Sequence, residues 1–214
     1  MNPYGIEIRQ AYGEIAEKYH QRRLSKEELN IQWLETLKGH LPAAGKVSDL
    51  GCGAGVPITR YFANRGYDVV GYDISEEMLE IARREVPNVE FHRSSIEELR
   101  LESHSLDLII SFFAIIHIER TLHEAIFARM HEWLRPGGAA FLSLGAVDES
   151  EVRDANWHGA PMVWSHFDAE ANIELLRKTG FEIVWQEVED FGGEKHLFVI
   201  AHSSSGSQLS SDHD

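Results

Sequence analysis

The sequence predicts an α/β domain built on a mostly parallel sheet with helices on both faces. Two observations carry that expectation. From Lys46 onward, short apolar runs alternate with amphipathic stretches, and such alternation is satisfied by parallel strands whose crossover helices pack on the two faces. Near the end the rhythm changes to two consecutive apolar runs, Phe181–Val188 and His196–Ala201, with Gly192-Gly193 between them. Those runs read as an antiparallel hairpin that closes the sheet.

Residues 1–45 read as an N-terminal helical cap. Ile8, Tyr12, Ile15 and Tyr19 recur at helical spacing, and Ser25-Lys26-Glu27-Glu28 has the form of a capping box ahead of Leu29, Trp33 and Leu37. Gly39 and Pro42 end the run. Residues 46–202 form the core. Its earlier strands are Val47–Leu50, Val69–Tyr72, Val89–Phe91, Leu106–Phe112 and Ala139–Leu144. Helices start near Pro57, Ser75 and Thr121, the last behind a second capping box, Thr121-Leu122-His123-Glu124, and they stop at Gly66, Pro87 and Pro136-Gly137-Gly138. One more helix runs from Asp168 to Gly180. Residues 147–167 show no periodicity, yet hold Trp157, His158, Met162, Trp164, His166 and Phe167. A connection of that length is usually functional, so it reads as a lid-like insert. Residues 203–214, small and polar, read as a disordered tail.

Composition bounds what such a domain does. A chain of 214 residues, 43% hydrophobic and 26% charged, has the make-up of one globular domain. Its formal net charge of −15 runs against nucleic-acid binding, which draws most of its affinity from phosphate neutralisation. The adjacent basic pairs Arg22-Arg23, Arg83-Arg84 and Arg177-Lys178 make no stripe, so no nucleic-acid partner is expected. The single Cys52 excludes an internal disulfide and a Cys-rich zinc site. The stretch Met1-Asn2-Pro3-Tyr4-Gly5 lacks the basic and apolar regions of a signal peptide. No apolar run approaches the ~18 residues of a membrane span. The expectation is a cytoplasmic protein without a membrane partner.

The most informative stretch is Val47-Ser48-Asp49-Leu50-Gly51-Cys52-Gly53-Ala54-Gly55, where the first strand turns toward the first core helix. Glycines there let the backbone take positive φ and let a ligand approach unobstructed by a Cβ. Such a turn lies at the carboxyl end of the strand, where open α/β sheets bind ligands. A dinucleotide fingerprint needs a glycine at the sixth position. Val56 stands there when counting from Gly51, and Ile58 when counting from Gly53. Its absence argues against an NAD-dependent oxidoreductase. Asp49, two residues before the first glycine, suits an ammonium group better than a phosphate. Asp73, at the end of the second strand, can accept hydrogen bonds from two ribose hydroxyls.

On these residues the chain resembles the class I S-adenosylmethionine (SAM)-dependent methyltransferases, over about residues 8–202. The markers are Asp49-Leu50-Gly51-Cys52-Gly53-Ala54-Gly55, Asp73-Ile74-Ser75 with Met78-Leu79, Leu106-Asp107-Leu108-Ile109-Ile110, and Leu134-Arg135-Pro136-Gly137-Gly138. The resemblance implies a Rossmann-like, seven-stranded sheet in which only the last strand is antiparallel. It implies SAM as cofactor, with S-adenosylhomocysteine (SAH) as its product. Asp49, Gly51, Gly53 and Gly55 would hold the methionine part and Asp73 the ribose. Ile74 and Met78 would pack the adenine, and Cys52 and Phe112 would be further cofactor contacts. Relatives usually carry an Asp after the third strand that contacts the adenine amino group; this chain has Ser95 there, followed by Ile96. A serine hydroxyl can accept that hydrogen bond without charge, and Ile96 would add apolar packing and a backbone N–H. The stretch Ala11-Tyr12-Gly13-Glu14-Ile15-Ala16-Glu17-Lys18-Tyr19 is similar to the segment that caps the cofactor in many small-molecule methyltransferases, which gives Tyr12 a cofactor role.

Methyl transfer from a sulfonium is an in-line displacement, and needs no metal and no covalent intermediate. Ser111-Phe112-Phe113-Ala114 lacks the prolines of enzymes that methylate exocyclic amines of bases. His117, close behind the fourth strand, should face the transferred methyl, and its ordinary pKa near 6.5 suits a base. The run Gly159-Ala160-Pro161-Met162-Val163-Trp164-Ser165-His166 is similar to one in bacterial methyltransferases of undefined substrate. That similarity makes His166 a second catalytic candidate and Trp157 and Trp164 candidates for substrate contact. The expected activity is methyl transfer to oxygen or nitrogen of a small molecule, with His117 or His166 as base or orienting group. A protein methyltransferase and a non-catalytic SAM-binding regulator are the alternatives.

Overall fold

The computed structural model describes residues 3–25, 27–190 and 194–204. Its first two helices, α1 (Pro3–Leu24) and α2 (Glu27–Leu37), form the N-terminal cap. The core follows as β1 (Lys46–Leu50), α3 (Ile58–Ala63), β2 (Asp68–Asp73), α4 (Glu76–Glu85), β3 (Glu90–Arg93) and β4 (Leu106–Ser111). After α5 (His123–Trp133) come β5 (Leu134–Gly145), β6 (Glu149–Trp157), β7 (Ala160–His166), α6 (Ala169–Lys178), β8 (Phe181–Asp190) and β9 (Lys195–Ser203).

Seven strands make one sheet in the order β3-β2-β1-β4-β5-β9-β8. Within it β9 alone runs against its neighbours, antiparallel to both β5 and β8. This is the mostly parallel, last-strand-antiparallel sheet that the sequence predicts. Both faces are covered, so β4 is apolar at successive positions, Leu108, Ile109 and Ile110, and β1 buries Val47, Ser48, Asp49 and Leu50 in a row. On one face lie Phe127, Met130 and Trp133 of α5 and Leu176 of α6. On the other, Leu34 and Leu37 of α2 and Tyr61 and Phe62 of α3 pack on Phe141, Phe198 and Ile200. Half-buried ion pairs tie the helices together, with Arg60 of α3 3.0 Å from Glu27 of α2 and 2.7 Å from Glu85 of α4. The buried His20 of α1 stands 3.3 Å from the same Glu85.

Local capping differs from the sequence pattern at two of the four starts. Ser75 caps α4 by accepting from Met78 N–H, and Asp168 caps α6 by accepting from Ala171 N–H. The Ser25 hydroxyl instead donates back to the Arg22 carbonyl at 2.7 Å, closing α1. Thr121 lies inside a 3-10 turn, Arg120–Leu122, and its hydroxyl donates to Glu119, so α5 begins at His123 without a side-chain cap. Pro136-Gly137-Gly138 also lies within β5 instead of preceding it. The register jumps from Leu106 opposite Leu134 to Leu108 opposite Ala139, and the extra residues bulge out beside Asp107.

The largest correction concerns residues 147–167. They form an antiparallel hairpin, β6 and β7, that turns at His158 (φ +53°) and Gly159 (φ +113°) and makes a separate two-stranded sheet. Alternation is absent because nearly all of β6 faces outward while nearly all of β7 is covered. Ala160, Met162 and Val163 of β7 pack against Ile8, Ala11 and Ile15 of α1, so hairpin and helix roof one end of the sheet together. Ser203, read from the sequence as tail, instead ends β9, buried and opposite Phe181. Gly192-Gly193 and residues 205–214 lie outside the described residues. No helix among the described residues is long and apolar enough to cross a membrane.

Candidate active site

The turn after β1 is shaped by its glycines. Gly51, Gly53 and Gly55 hold φ of +75°, +54° and +73°, a region that side-chain-bearing residues rarely adopt. A Cβ on Gly51 would also collide with that of Ala114. Gly51 N–H and Cys52 N–H both donate to the Tyr72 carbonyl, at 2.7 and 3.0 Å, which curls the turn toward β2. Asp73 completes the curl: one carboxylate oxygen accepts from Gly53 N–H at 2.8 Å and the other from Ser75 N–H at 2.9 Å. Burial raises the pKa of Asp73, and those backbone donors oppose the rise. Asp49 lies deeper, 3% exposed, and accepts from the Thr59 hydroxyl at 2.6 Å. Burial pushes its carboxyl up to about 7, with the Asp73 charge adding to the rise. Burial likewise raises the Cys52 thiol, which stays protonated.

These groups open on one cleft with about 1030 Å³ of empty space, at the carboxyl ends of β1 to β4. Tyr12, Asp49, Gly51, Cys52, Gly53, Asp73, Ile74, Met78, Ser95, Ile96 and Phe112 all line it, as does His117. Gly55 faces the other way. A Cβ there would press on Val86, Phe91 and Ala82, so the third glycine serves close packing of α4 and β3 beneath the turn.

Opposite the turn, the imidazole of His117 is fixed from both sides. Its Nδ1 is 2.8 Å from the Val163 carbonyl, which can only accept, so Nδ1 carries the hydrogen. Nε2 is then a bare acceptor, and the Tyr12 hydroxyl donates to it at 3.0 Å. Burial lowers the His117 pKa to about 4, so the ring is neutral at physiological pH. Burial also raises the Tyr12 phenol well above its ordinary value, with Tyr19 and Asp73 adding to the rise. Beside them Phe113 adopts φ +58° and donates its N–H to the Ser143 hydroxyl at 2.6 Å. Such strained backbone gathers at functional sites.

His166 does not line the cleft. Its Nδ1 is 2.9 Å from the Val147 carbonyl and its Nε2 is 3.1 Å from the Glu149 carboxylate, which staples the two ends of the hairpin over Gly145. Trp157 and Trp164 form a second layer. Trp157 packs edge-on to Tyr12 at 6.0 Å, and Trp164 lies 5.8 Å from the His117 ring. The Ser95 hydroxyl accepts from Glu98 N–H at 3.3 Å and donates to the Glu98 carboxylate at 3.4 Å, which leaves it one lone pair.

Two charged lining residues escape the sequence reading. Glu97, two positions beyond Ser95, brings a carboxylate to that edge of the cleft, with its pKa raised by burial. Arg23 reaches the opposite end from α1. A signal for Arg23 exists: Gly5, Ile8, Tyr12, Tyr19 and Arg23 fall on one helical face, and all of them line the cleft. Among the described residues, no group of three or more His, Cys, Asp or Glu side chains gathers as a metal site.

Comparison with known proteins bears on family and fold. Residues 47–138 match the family model of a methyltransferase domain. The chain is 34% identical over 148 residues to the malonyl-[acyl-carrier protein] O-methyltransferase of Enterobacter lignolyticus, covering 68% of this chain and 56% of that one. It is 32% identical over 97 residues to the demethylmenaquinone methyltransferase of Chlorobaculum parvum, covering 45% and 39%. The chain thus spans about half the length of the curated relatives it matches. Among solved structures, the 1,6-didemethyltoxoflavin-N1-methyltransferase of Burkholderia thailandensis, with 1,6-didemethyltoxoflavin and SAH bound, superposes with a TM-score of 0.70. That match covers 94% of this chain and 89% of the other at 23% identity, and shows a shared fold.

Proposed function

The chain belongs to the class I SAM-dependent methyltransferases, and from that premise we propose that it transfers the SAM methyl group to oxygen or nitrogen of a small molecule. One observation carries the reading. The glycine turn, Asp49 and Asp73 open on the same cleft as the Tyr12–His117 pair. The donor set fits the nucleoside. Each Asp73 oxygen accepts one backbone hydrogen bond and keeps a lone pair for a ribose hydroxyl. Asp49 offers a carboxylate to the methionine ammonium, and Ile74, Met78 and Ile96 offer apolar walls to the adenine. When bound, SAM supplies an electrophilic methyl carbon whose leaving group is a neutral thioether.

The chain's own contribution is alignment and proton transfer. Holding acceptor and methyl in line is worth about 7–11 kcal/mol. An acceptor that sheds a proton hands it to the Tyr12 oxygen while the Tyr12 proton passes to His117 Nε2. The Val163 carbonyl holds the ring in the tautomer that receives it. Tyr12→Phe and His117→Asn should each leave SAH affinity within about threefold and lower turnover about 100-fold, in the range for general base catalysis.

The reading is tested by titration calorimetry with SAH, followed by methyl-release assays on small-molecule acceptors. No heat with SAH would sink it. The pH dependence adds a sharper test. With a carboxyl pKa of about 7, Asp49 is protonated at pH 6 and ionised at pH 8. An ammonium ligand favours the ionised form. SAH affinity should therefore rise about tenfold per unit up to pH 7 and flatten above it, with a proton released on binding at the acid end. A flat profile from pH 5.5 to 8 would remove Asp49 from the ammonium site.

A further inference from the structure

The outer strand of the roof hairpin is left with almost nothing to bury. Residues 150–156 of β6 are exposed in one unbroken run, and since successive strand residues point to opposite faces, both of its faces are wet. Among the described strands β6 pairs with β7 alone, so its other edge offers its backbone to a further strand. The ladder to β7 is regular from Val152 to Asp154 and bulges on either side. Val152 is 39% exposed, and its chain neighbours carry opposite charges, Glu151 and Arg153. These two share a face. Arg153 Nε donates to Glu151 at 2.6 Å and its Nη1 to Glu7 of α1 at 2.6 Å, while the Tyr4 hydroxyl donates to the other Glu151 oxygen at 2.6 Å. The guanidinium keeps further N–H donors, and each Glu151 oxygen keeps a lone pair.

A strand with that order of charges is complementary to itself. Residues directly opposite in an antiparallel pair lie on the same face, so a two-fold axis normal to the sheet sets one residue against its own copy. Centred on Glu151 or Asp154 the axis sets acid on acid, and centred on Arg153 it sets base on base. Centred on Val152 it sets valine on valine, with Glu151 of each copy opposite Arg153 of the other and Asp154 opposite Ser150. The edge strand of the main sheet differs. The charges of β8, namely Glu182, Glu187, Glu189 and Asp190, are all acidic, which turns it against its own copy.

We propose that β6 is the docking strand for a second copy of this chain, whose own β6 adds antiparallel about Val152 and joins the two hairpins into one four-stranded sheet. The assignment is independent of the methyl-transfer reading. The bulges confine the contact to a short stretch, and a charge of −15 on each copy opposes approach, so the dimer dissociates on dilution.

Sedimentation velocity from micromolar to near-millimolar protein tests it, with circular dichroism confirming the fold of each variant. The wild type should show a concentration-dependent dimer. Glu151→Arg and Arg153→Glu should each weaken it about 30-fold, because two exposed ion pairs turn from attraction to repulsion. An equimolar mixture of these two variants should associate as the wild type does, since the arginines of one chain then meet the carboxylates of the other. Loss of fold or of the bonds to α1 could not produce that recovery. Val152→Lys, which sets two ammonium groups face to face, should also weaken the dimer. A wild type that stays monomeric throughout overturns the assignment. So does a dimer that both charge reversals leave intact, or one that the mixture fails to restore.

Discussion

With the ribose placed at Asp73 as proposed, Asp73→Ala should lower affinity for SAH about 1,000-fold, the worth of two charge-assisted hydrogen bonds at about 1.5–3 kcal/mol each. The loss is not confined to the sugar. The same carboxylate accepts from Gly53 N–H and Ser75 N–H, so its removal releases the turn that faces the ligand as well as the start of α4. Stability should change far less than affinity. Burial raises the Asp73 pKa, which means that the ligand-free fold already holds this charge at a cost, and Ala removes cost and benefit together. Asp73→Asn, which keeps the shape and loses the charge, should fall between the two. Methylthioadenosine should weaken in step with SAH, because both carry the ribose. Calorimetry on the three proteins checks the series, and an Ala variant that binds SAH within threefold of wild type would displace the ribose from β2.

Phe141→Ala should destabilise the protein by about 3–5 kcal/mol, as for other large aromatic truncations in a tight core. Phe141 is fully buried in β5, opposite Ile110 on one side and Ile200 on the other. Its ring meets Phe112 edge-on at 4.7 Å, Trp33 at 5.7 Å and Trp185 at 6.5 Å. These neighbours come from a flanking helix and three strands, so no single one can move in to fill the space. At about 2–4 °C per kcal/mol for a domain of this size, the melting temperature should drop by about 10 °C. Phe141→Leu should regain most of it. Because Phe112 also lines the cleft, the Ala variant should lose some SAH affinity, whereas a melting temperature within 2 °C of wild type would show that the ring is not structural.

What the sequence made legible is what backbone chemistry dictates locally. Successive apolar positions in β4 announce a strand covered on both faces. Gly51, Gly53 and Asp73 announce a turn and its clasp, because few other residues tolerate that conformation or that partner. Hydrogen bonds that depend on tertiary neighbours left no such trace. Local competition misleads too: Thr121 and Ser25 match a capping pattern, yet their hydroxyls donate to Glu119 and Arg22, two and three residues back. His166 looks catalytic by its neighbours in sequence, but Gly145 and Glu149 claim it in space. The hairpin of β6 and β7 escaped notice because strand alternation requires one wet and one dry face on the same strand. Here the two faces are divided between two strands. Arg23 was legible in principle, through the helical face it shares with Tyr12 and Tyr19, but only a view of that face as a wall reveals it.

The hairpin pairs its strands only with each other and rests on α1, touching His117 through the Val163 carbonyl, whereas Asp49, Asp73 and the glycine turn belong to the seven-stranded sheet. Descendants of this chain can therefore remodel the canopy, and with it the choice of guest, while the grip on the methyl donor passes unaltered from one lineage to the next.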